Sequence, residues 1–402
     1  MKVETVIIGA GLSGLSCAIQ LEKERRDYLL VEKANRIGGR LGSLYEEGNI
    51  YDIGFQVFNT AYRNTMQLLD RDKVKLKMFE PGSVIHDGKS FNLISDPLRD
   101  PKKLFTSLFS SISTFKDKIK ILSLIAQLSN YDIQNDNSPD MQTIDFLKKK
   151  NFSDKFIELF FIPFFAGIFL EKDLQTSSKF FKYVFSNFSK GLACLPSEGM
   201  QKIPDLIFKN ISSDRLLLNQ SLEKIEDKGL LIFNNGQTIK CKNIVLTGGS
   251  HKKVGLNEVQ YNAVKNIYFE SDIKIENGKY IHLFPKDNII NNVAVLNQVS
   301  RSYSKSNSLL SISVIGHDLK DKVDINQLRK KLANYFGGND SNYEWVKSFD
   351  IKNATIKQKT NYFDSNTFSP TKGLIIAGDH SVYGSIEGAV LSGVNASKKI
   401  LN

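Results

Sequence analysis

Gly9-Ala10-Gly11-Leu12-Ser13-Gly14 constrains this chain more than any other segment. It follows a short apolar run, Val6-Ile7-Ile8, and precedes Leu12, Leu15, Ala18 and Ile19 at helical spacing. A buried strand must therefore turn sharply into a helix. Tyr28-Leu29-Leu30-Val31 reads as a second buried strand, closed by Glu32. Apolar strands alternating with a helix predict a parallel sheet covered on both faces. The Gly-x-Gly-x-x-Gly spacing permits the tight turn, close approach of a pyrophosphate and close helix–strand packing. The helix N-terminus adds free N–H groups and a partial positive charge. Glu32 stands 18 positions after Gly14, where a carboxylate can accept hydrogen bonds from ribose hydroxyls. The four features together point to a bound dinucleotide. The bland alternative is a tight turn with a surface glutamate.

Gly38-Gly39-Arg40-Leu41-Gly42-Ser43 follows almost at once. Adjacent glycines let the backbone pass beside a phosphate, and a guanidinium suits that charge. The competing role for Arg40 is a surface salt bridge. Asp52-Ile53-Gly54-Phe55-Gln56 offers a further glycine where the chain can approach a flat ring.

Composition narrows the class. The chain has 402 residues, 41% hydrophobic and 24% charged, which fits two or three globular units and excludes a disordered or collagenous protein. Cys17, Cys194 and Cys241 are too few and too scattered for a disulfide framework or a cysteine zinc site, so no metal is expected. The net charge is +11, but the lysines are dispersed, so nucleic acid is not an expected partner. Met1-Lys2 leads directly into the first strand with no leader-like apolar segment. The longest uncharged apolar run, residues 159–170, is too short to span a bilayer and contains Pro163. A cytoplasmic protein is expected, with peripheral contact to a membrane left open.

Further along, Leu104, Leu108, Ile112 and Phe115 share one helical stripe. So do Phe152, Phe156, Phe160 and Phe164, and then Phe181, Val184, Phe185 and Phe188. Most such stripes face a core, and an apolar pocket is the alternative. Asn234-Asn235-Gly236-Gln237 predicts a hairpin between Leu230–Phe233 and Thr238–Cys241. Residues 244–249 read as a buried strand ending in glycines, 266–314 as several strands and 325–336 as a helix. The C-terminus reads as strand Leu374–Ala377, the turn Gly378-Asp379 and a helix from about Gly388. One discontinuous domain is expected from 1–62, 195–255 and 351–402. A second lobe would combine 63–194 with 256–350, helical over 100–190 and β-rich over 256–350.

The motifs Ile7 to Leu15, Val31-Glu32-Lys33, Gly38-Gly39-Arg40, Ile376-Ala377-Gly378-Asp379-His380 and Gly384 to Gly393 resemble a known pattern. Their order is similar to that of the flavin amine oxidase, phytoene desaturase and protoporphyrinogen oxidase superfamily, along essentially the full chain. Gly199-Met200 to Pro204 adds to the likeness. The resemblance implies an α/β fold: a discontinuous Rossmann-like FAD-binding domain with a second α+β substrate lobe. It implies that Gly9, Gly11, Leu12, Ser13 and Gly14 hold the pyrophosphate, and Glu32 with Lys33 the adenosine ribose. Gly39 and Arg40 would flank phosphate and ribityl, Gly54, Phe55 and Gln56 the isoalloxazine edge. Leu222 would meet adenine through its backbone. Gly378 and Asp379 would hold ribityl or phosphate. Ser385, Ile386 and Ala389 would face the pyrimidine side of the flavin, where a helix N-terminus favours the charge that gathers on reduction. Ala389, Ser392, Gly393 and Ala396 are small enough for close helix packing. No cysteine lies in the closing motif, so the FAD is expected to be non-covalent.

By alignment, the aromatic wall of an amine cage is Ser385 here, and the Trp after the Gly-Asp pair is His380. The form resembles the desaturase-like branch, which implies dehydrogenation of a hydrophobic isoprenoid-, carotenoid- or porphyrinogen-like substrate by hydride transfer to flavin N5. Oxygen or a quinone would reoxidise the flavin. Three alternatives stand beside it: a flavin amine oxidase, a reduced-flavin isomerase, and a flavoprotein that holds a lipid or pigment without turnover. No catalytic residue is assigned; His380, which adjoins the flavin motif, is the candidate to test, and Tyr62, Lys286 and Tyr383 are weaker ones. His86, His251, His282, His317 and His380 are too far apart in sequence to predict a shared site.

Overall fold

A computed structural model of the protein describes residues 1–95, 112–250, 259–316, 319–365 and 373–402. Elements are numbered along the chain. The first sheet contains β1 (Lys2–Ile8), β2 (Tyr28–Val31), β10 (Leu216–Leu217), β11 (Leu222–Glu226), β12 (Leu230–Phe233), β13 (Thr238–Thr247) and β19 (Leu374–Ala377). β10, β2, β1 and β13 run parallel in that order. β13 is shared along its length: Thr238–Lys240 pair with β12, whereas Ile244–Thr247 pair in parallel with β19. The beginning, middle and end of the chain thus meet in one sheet.

Period-two alternation sorts its residues onto two buried faces. Ile7, Leu30, Val245, Ile375 and Ala377 enter one cluster, Val6, Ile8, Leu29, Leu246 and Ile376 the other. Helix α1 (Leu12–Lys23) covers the first face together with α7 (Ile386–Leu401). Their contact is close because the facing residues are small. Ser16 Oγ donates to Val390 O at 2.9 Å and Ser392 Oγ to Ser13 Oγ at 3.1 Å. A Cβ on Gly393 would stand 2.1 Å from Ser13 O.

The second seven-stranded sheet runs β18 (Tyr343–Ile356), β14 (Tyr261–Ser271), β17 (Ser308–Val314), β16 (Ile290–Val295), β15 (Ile281–Leu283), β7 (Gly82–His86), β8 (Phe91–Ser95). All its pairings are antiparallel except β7 with β15. β18 continues to Ile356, past the expected boundary at 350, because its far end still pairs with Tyr261 and Asn262 of β14. Helix α6 (Ile325–Phe336) buries Leu328 and Leu332 against this sheet. Two smaller sheets complete the strands: β3 (Ser43–Glu46) with β4 (Asn49–Asp52), and β5 (Phe58–Asn59), β9 (Ala193–Pro196) and β6 (Leu76–Met78).

The helical part contains α2 (Arg63–Leu68), α3 (Phe115–Gln127), α4 and α5 (Ser178–Lys190). α4 is continuous through Asp154–Phe156, the π-helical Ile157–Phe161 and Ile162–Phe169. The π turn inserts one residue and rotates the buried face. Phe152 and Phe156 are buried, but the face then moves to Phe161, Phe165 and Phe169. Phe160 and Phe164, predicted on the same stripe, end half-buried. Leu104 and Leu108 lie outside the described residues. Phe115, expected on a core stripe, is 70% exposed, because α3 turns Asp117 and Leu124 inward instead.

Candidate functional site

The carboxyl ends of β1, β2, β13 and β19 gather the sequence motifs. Gly14 is required by contact: a Cβ there would lie 1.9 Å from Gly9 O. α1 begins on Gly11, with no side-chain cap and no acid in its first turn, so its leading N–H groups face outward to any incoming anion. Leu12 and Ser13 are buried in that turn. The second glycine loop docks on the first, with Gly38 N donating to Ala10 O at 2.8 Å. Gly39 has φ +62°, and a Cβ on it would meet Gly11 Cα at 3.1 Å. The two loops form a backbone cradle that larger residues would fill. These features fit a dinucleotide pyrophosphate.

Glu32 is buried at the end of β2. Its carboxylate accepts from Ala10 N at 2.7 Å and Ala34 N at 2.9 Å, which ties the glycine turn to the next strand. The segment before Leu222 reaches the same place, since Gln220 N donates to Glu32 O at 2.9 Å. Leu222 buries its side chain in the second core face. Lys33 is exposed.

Arg40 donates through Nη2 to Asp379 Oδ1 at 2.5 Å and through Nη1 to Ala354 O at 3.3 Å. Gln56 Nε2 donates to Arg40 O at 2.7 Å, which brings the Gly54-Phe55-Gln56 segment to the same loop. Gln56 Oε1 is buried without a partner. Asp379 is buried behind Gly378, whose N–H donates to Ser392 Oγ on α7 at 2.9 Å. His380 is fully buried, its ring beside Gly378, and its carbonyl accepts from Tyr362 Oη at 2.7 Å.

The start of α7 carries the second constellation. Ser385 is the N-cap and accepts from Gly388 N at 2.9 Å. Tyr183 on α5 reaches Ser385 from the helical part, Oη to Oγ 3.3 Å. Its ring lies 4.4 Å from that of Tyr383, tilted by 43°. Tyr62 packs edge-on against Phe58 at 5.5 Å. Ile386 and Ala389 are half-buried beside the first core. Glu387 is buried and fully engaged: Asn64 N and Nδ2 donate at 2.7 Å, Thr65 N at 3.0 Å and Thr65 Oγ1 at 2.8 Å. It thereby caps α2. Burial, with the nearby Glu387 charge adding to it, raises the phenols of Tyr62, Tyr183 and Tyr383 above their ordinary range. They remain protonated donors and do not serve as bases near neutrality. Tyr183 and Tyr383 belong to the Phe-rich cluster with Phe161, Phe165, Phe169 and Phe181.

The sequence passed over several of these residues. Tyr183 had one signal, the only hydroxyl-bearing aromatic in a phenylalanine run. Arg36 clamps the second loop, donating to Gly39 O and Leu41 O, each at 2.9 Å, and to Gln201 at 3.2 Å. Asp52 accepts from Ser43 Oγ at 2.5 Å, Tyr303 Oη at 2.7 Å and Met200 N at 2.9 Å, and burial raises its pKa against those bonds. His86 and His282 correct the expectation of isolated histidines. β7 and β15 place His86 Nε2 3.1 Å from His282 Nδ1. Lys286 is 57% exposed and pairs with Glu158 at 4.0 Å. His251 and His317 lie outside the described residues. No cluster of three or more metal-ligating side chains occurs among the described residues.

The sequence profile of flavin containing amine oxidoreductases matches residues 12–401. Phytoene desaturase of Cercospora nicotianae is 32% identical over 99 residues, 23% of this chain and 16% of that protein. The 15-cis-phytoene desaturase of Arabidopsis thaliana is 23% identical over 99% of this chain and 80% of its own length. The first curated relatives are matched over only 8% to 16% of their length. A putative protoporphyrinogen oxidase from Exiguobacterium sp. 255-15 shares the fold, with a TM-score of 0.76, 16% identity and coverage of 99% and 98% of the two chains.

Proposed function

The chain belongs to the flavin containing amine oxidoreductase family, and we propose that it dehydrogenates a large hydrophobic substrate of the isoprenoid or porphyrinogen kind. It is an oxidoreductase, and its cofactor is FAD. FAD, when bound, supplies the hydride acceptor. In this reading Gly9, Gly11, Leu12, Ser13 and Gly14 hold the pyrophosphate with the N–H groups of α1. Glu32 and the backbone at Leu222 take the adenosine half. Arg40, Asp379 and Gly39 take the phosphate and ribityl. Gly54, Phe55 and Gln56 border the ring system, and Ser385, Ile386 and Ala389 present the N-terminus of α7 to its pyrimidine end. Tyr183 and Tyr383 wall the substrate side, exclude water and keep their protons. Oxygen or a quinone completes the cycle.

The engagement of Glu387 carries this reading. A protonated amine buried beside Ser385 is best stabilised by an anionic partner. Glu387, the buried carboxylate two positions on, already accepts four hydrogen bonds from Asn64 and Thr65. The surrounding walls continue into phenylalanine rings. The test is mass spectrometry of small molecules that copurify with the yellow protein, followed by anaerobic mixing. A bound polyene or porphyrin whose analogue bleaches the flavin supports the reading. Bleaching by amines alone, with peroxide released in air, rejects it.

One observation favours a second reading as an amine oxidase. Two tyrosine rings 4.4 Å apart beside Ser385 offer π faces to a cation. Loss of amine turnover in Tyr383→Leu, with FAD retained, would support it.

A further inference from the structure

We infer that the substrate presents an uncharged hydroxyl group to a buried polar patch on the second sheet. The inference rests on the proposed function and narrows its substrate class. β14, β17 and β16 are registered so that Asn266 and Asn292 both lie opposite Ser313, on its two sides. Ser311 shares their face, and its Oγ accepts from Asn266 Nδ2 at 2.9 Å. All four are buried, whereas the reverse face of the same strands seats Ile267, Ile312 and Val293 in an apolar core. Buried polar atoms nearly always find partners. Asn266 Oδ1 and Asn292 Nδ2 have none. The first accepts and the second donates, yet two strand spacings hold their backbones about 10 Å apart, so they do not pair. The unmade bonds cost the free protein stability. A ligand that completes them removes that cost.

The patch lies between the two halves of the proposed site. On the same face Tyr268 Oη donates to Asp52 O at 3.0 Å, and Ile351 Cδ1 stands 2.7 Å from where a Cβ on Gly54 would be. The face therefore abuts the segment assigned to the flavin edge. At its other end Leu283 and Ile85 join the Phe-rich cluster that includes Tyr383. The neighbours set the charge of the group. Among the described residues on this face of the three strands, Glu270 alone is ionisable. It stands four positions from Asn266 and already accepts from Asn49 Nδ2 at 2.8 Å and Ser304 Oγ at 2.9 Å. A buried carboxylate or ammonium on the ligand would find no free counter-ion there. A hydroxyl both donates and accepts, so it satisfies either orphan atom. A pure hydrocarbon would leave both unmade.

The test titrates the full-length FAD-bound protein with farnesol and with farnesene, a hydrocarbon of the same carbon skeleton, and reads the perturbation of the flavin absorption bands. Farnesol should bind about tenfold more tightly. Asn266→Leu or Asn292→Leu, according to which atom the hydroxyl meets, should bring the ratio close to one while farnesene binds as before. Flavin content and melting temperature check that the variants fold, and the parent ratio stands on its own if one does not. Equal affinity of the parent for both probes, or a preference that survives in both leucine variants, overturns the proposal and leaves the hydrophobic reading standing. Binding of neither probe overturns it as well, and bleaching by amines in that protein would overturn the reading beneath it.

Discussion

Arg40 donates to Asp379 across 339 positions of sequence, joining the second glycine loop to the turn that opens the C-terminal motif. The guanidinium side is 37% exposed and the carboxylate 5%, so the pair sits at the border between protein and solvent. Asp379→Asn leaves Arg40 without its charge partner and loosens both loops. The expected outcome is about a tenfold rise in the FAD dissociation constant, a little over 1 kcal/mol, because part of the interaction is screened. Fluorescence titration of deflavinated protein with FAD measures it. An unchanged constant would show that the pair does not shape the cofactor site.

Gly393→Val tests the contact between α1 and α7. The new side chain would meet backbone at Ser13 and Cys17, neither of which can yield without moving α1. A loss of roughly 3 kcal/mol is expected, read as a shift of the denaturant midpoint. Gly393→Ala should lie between it and the parent. Equal stability of all three would refute the packing argument.

Tyr183→Phe keeps the ring against Tyr383 and removes only the hydroxyl that faces Ser385. Stability should change by less than about 1.5 kcal/mol. The flavin absorption envelope and kcat should both shift, because Ser385 heads the helix that approaches the ring system in the proposed site. A variant with parental spectrum and turnover would remove Tyr183 from that site.

Histidines 86 and 282 set an acid limit. Burial lowers their pKa to about 3 and about 4, with the neighbouring His282 also lowering His86. In the unfolded chain both titrate near 6.5. The unfolded state therefore binds more protons below that value. Stability is complete above about pH 6.5 and falls as the pH drops toward the folded values, by up to about 1.4 kcal/mol per pH unit for each histidine. His86→Phe, in a place already lined by Phe284 and Phe91, should flatten the decline between pH 6 and 4. Urea melts at successive pH values would reveal it, and parallel curves for parent and variant would exclude it.

The strand, turn and helix that open the first sheet were legible because their signals are local. Strand, turn, helix and Glu32 fall within one short stretch, and period-two burial and the Asn-Gly turn are equally short-range. Features that needed long-range pairing were not legible. His86 and His282 are 196 positions apart and meet only through a parallel strand pair. Tyr183 acquires meaning only when α5 lies beside α7. The π turn of α4 defeated a correct periodicity by inserting one residue, which moved the buried face to Phe161 and Phe165. Phe115 was misplaced because hydrophobic spacing gives the direction of a stripe but not what covers it.

The divided pairing of β13 fixes the order in which the protein can be completed during synthesis. Residues 244–247 present an open strand edge until residues 374–377 emerge to occupy it. Until then the sheet is unfinished and lacks the Gly378-Asp379 turn and α7 beside it. A chain cut short before Leu374 would carry a sticky border along Ile244–Thr247 in place of a closed sheet.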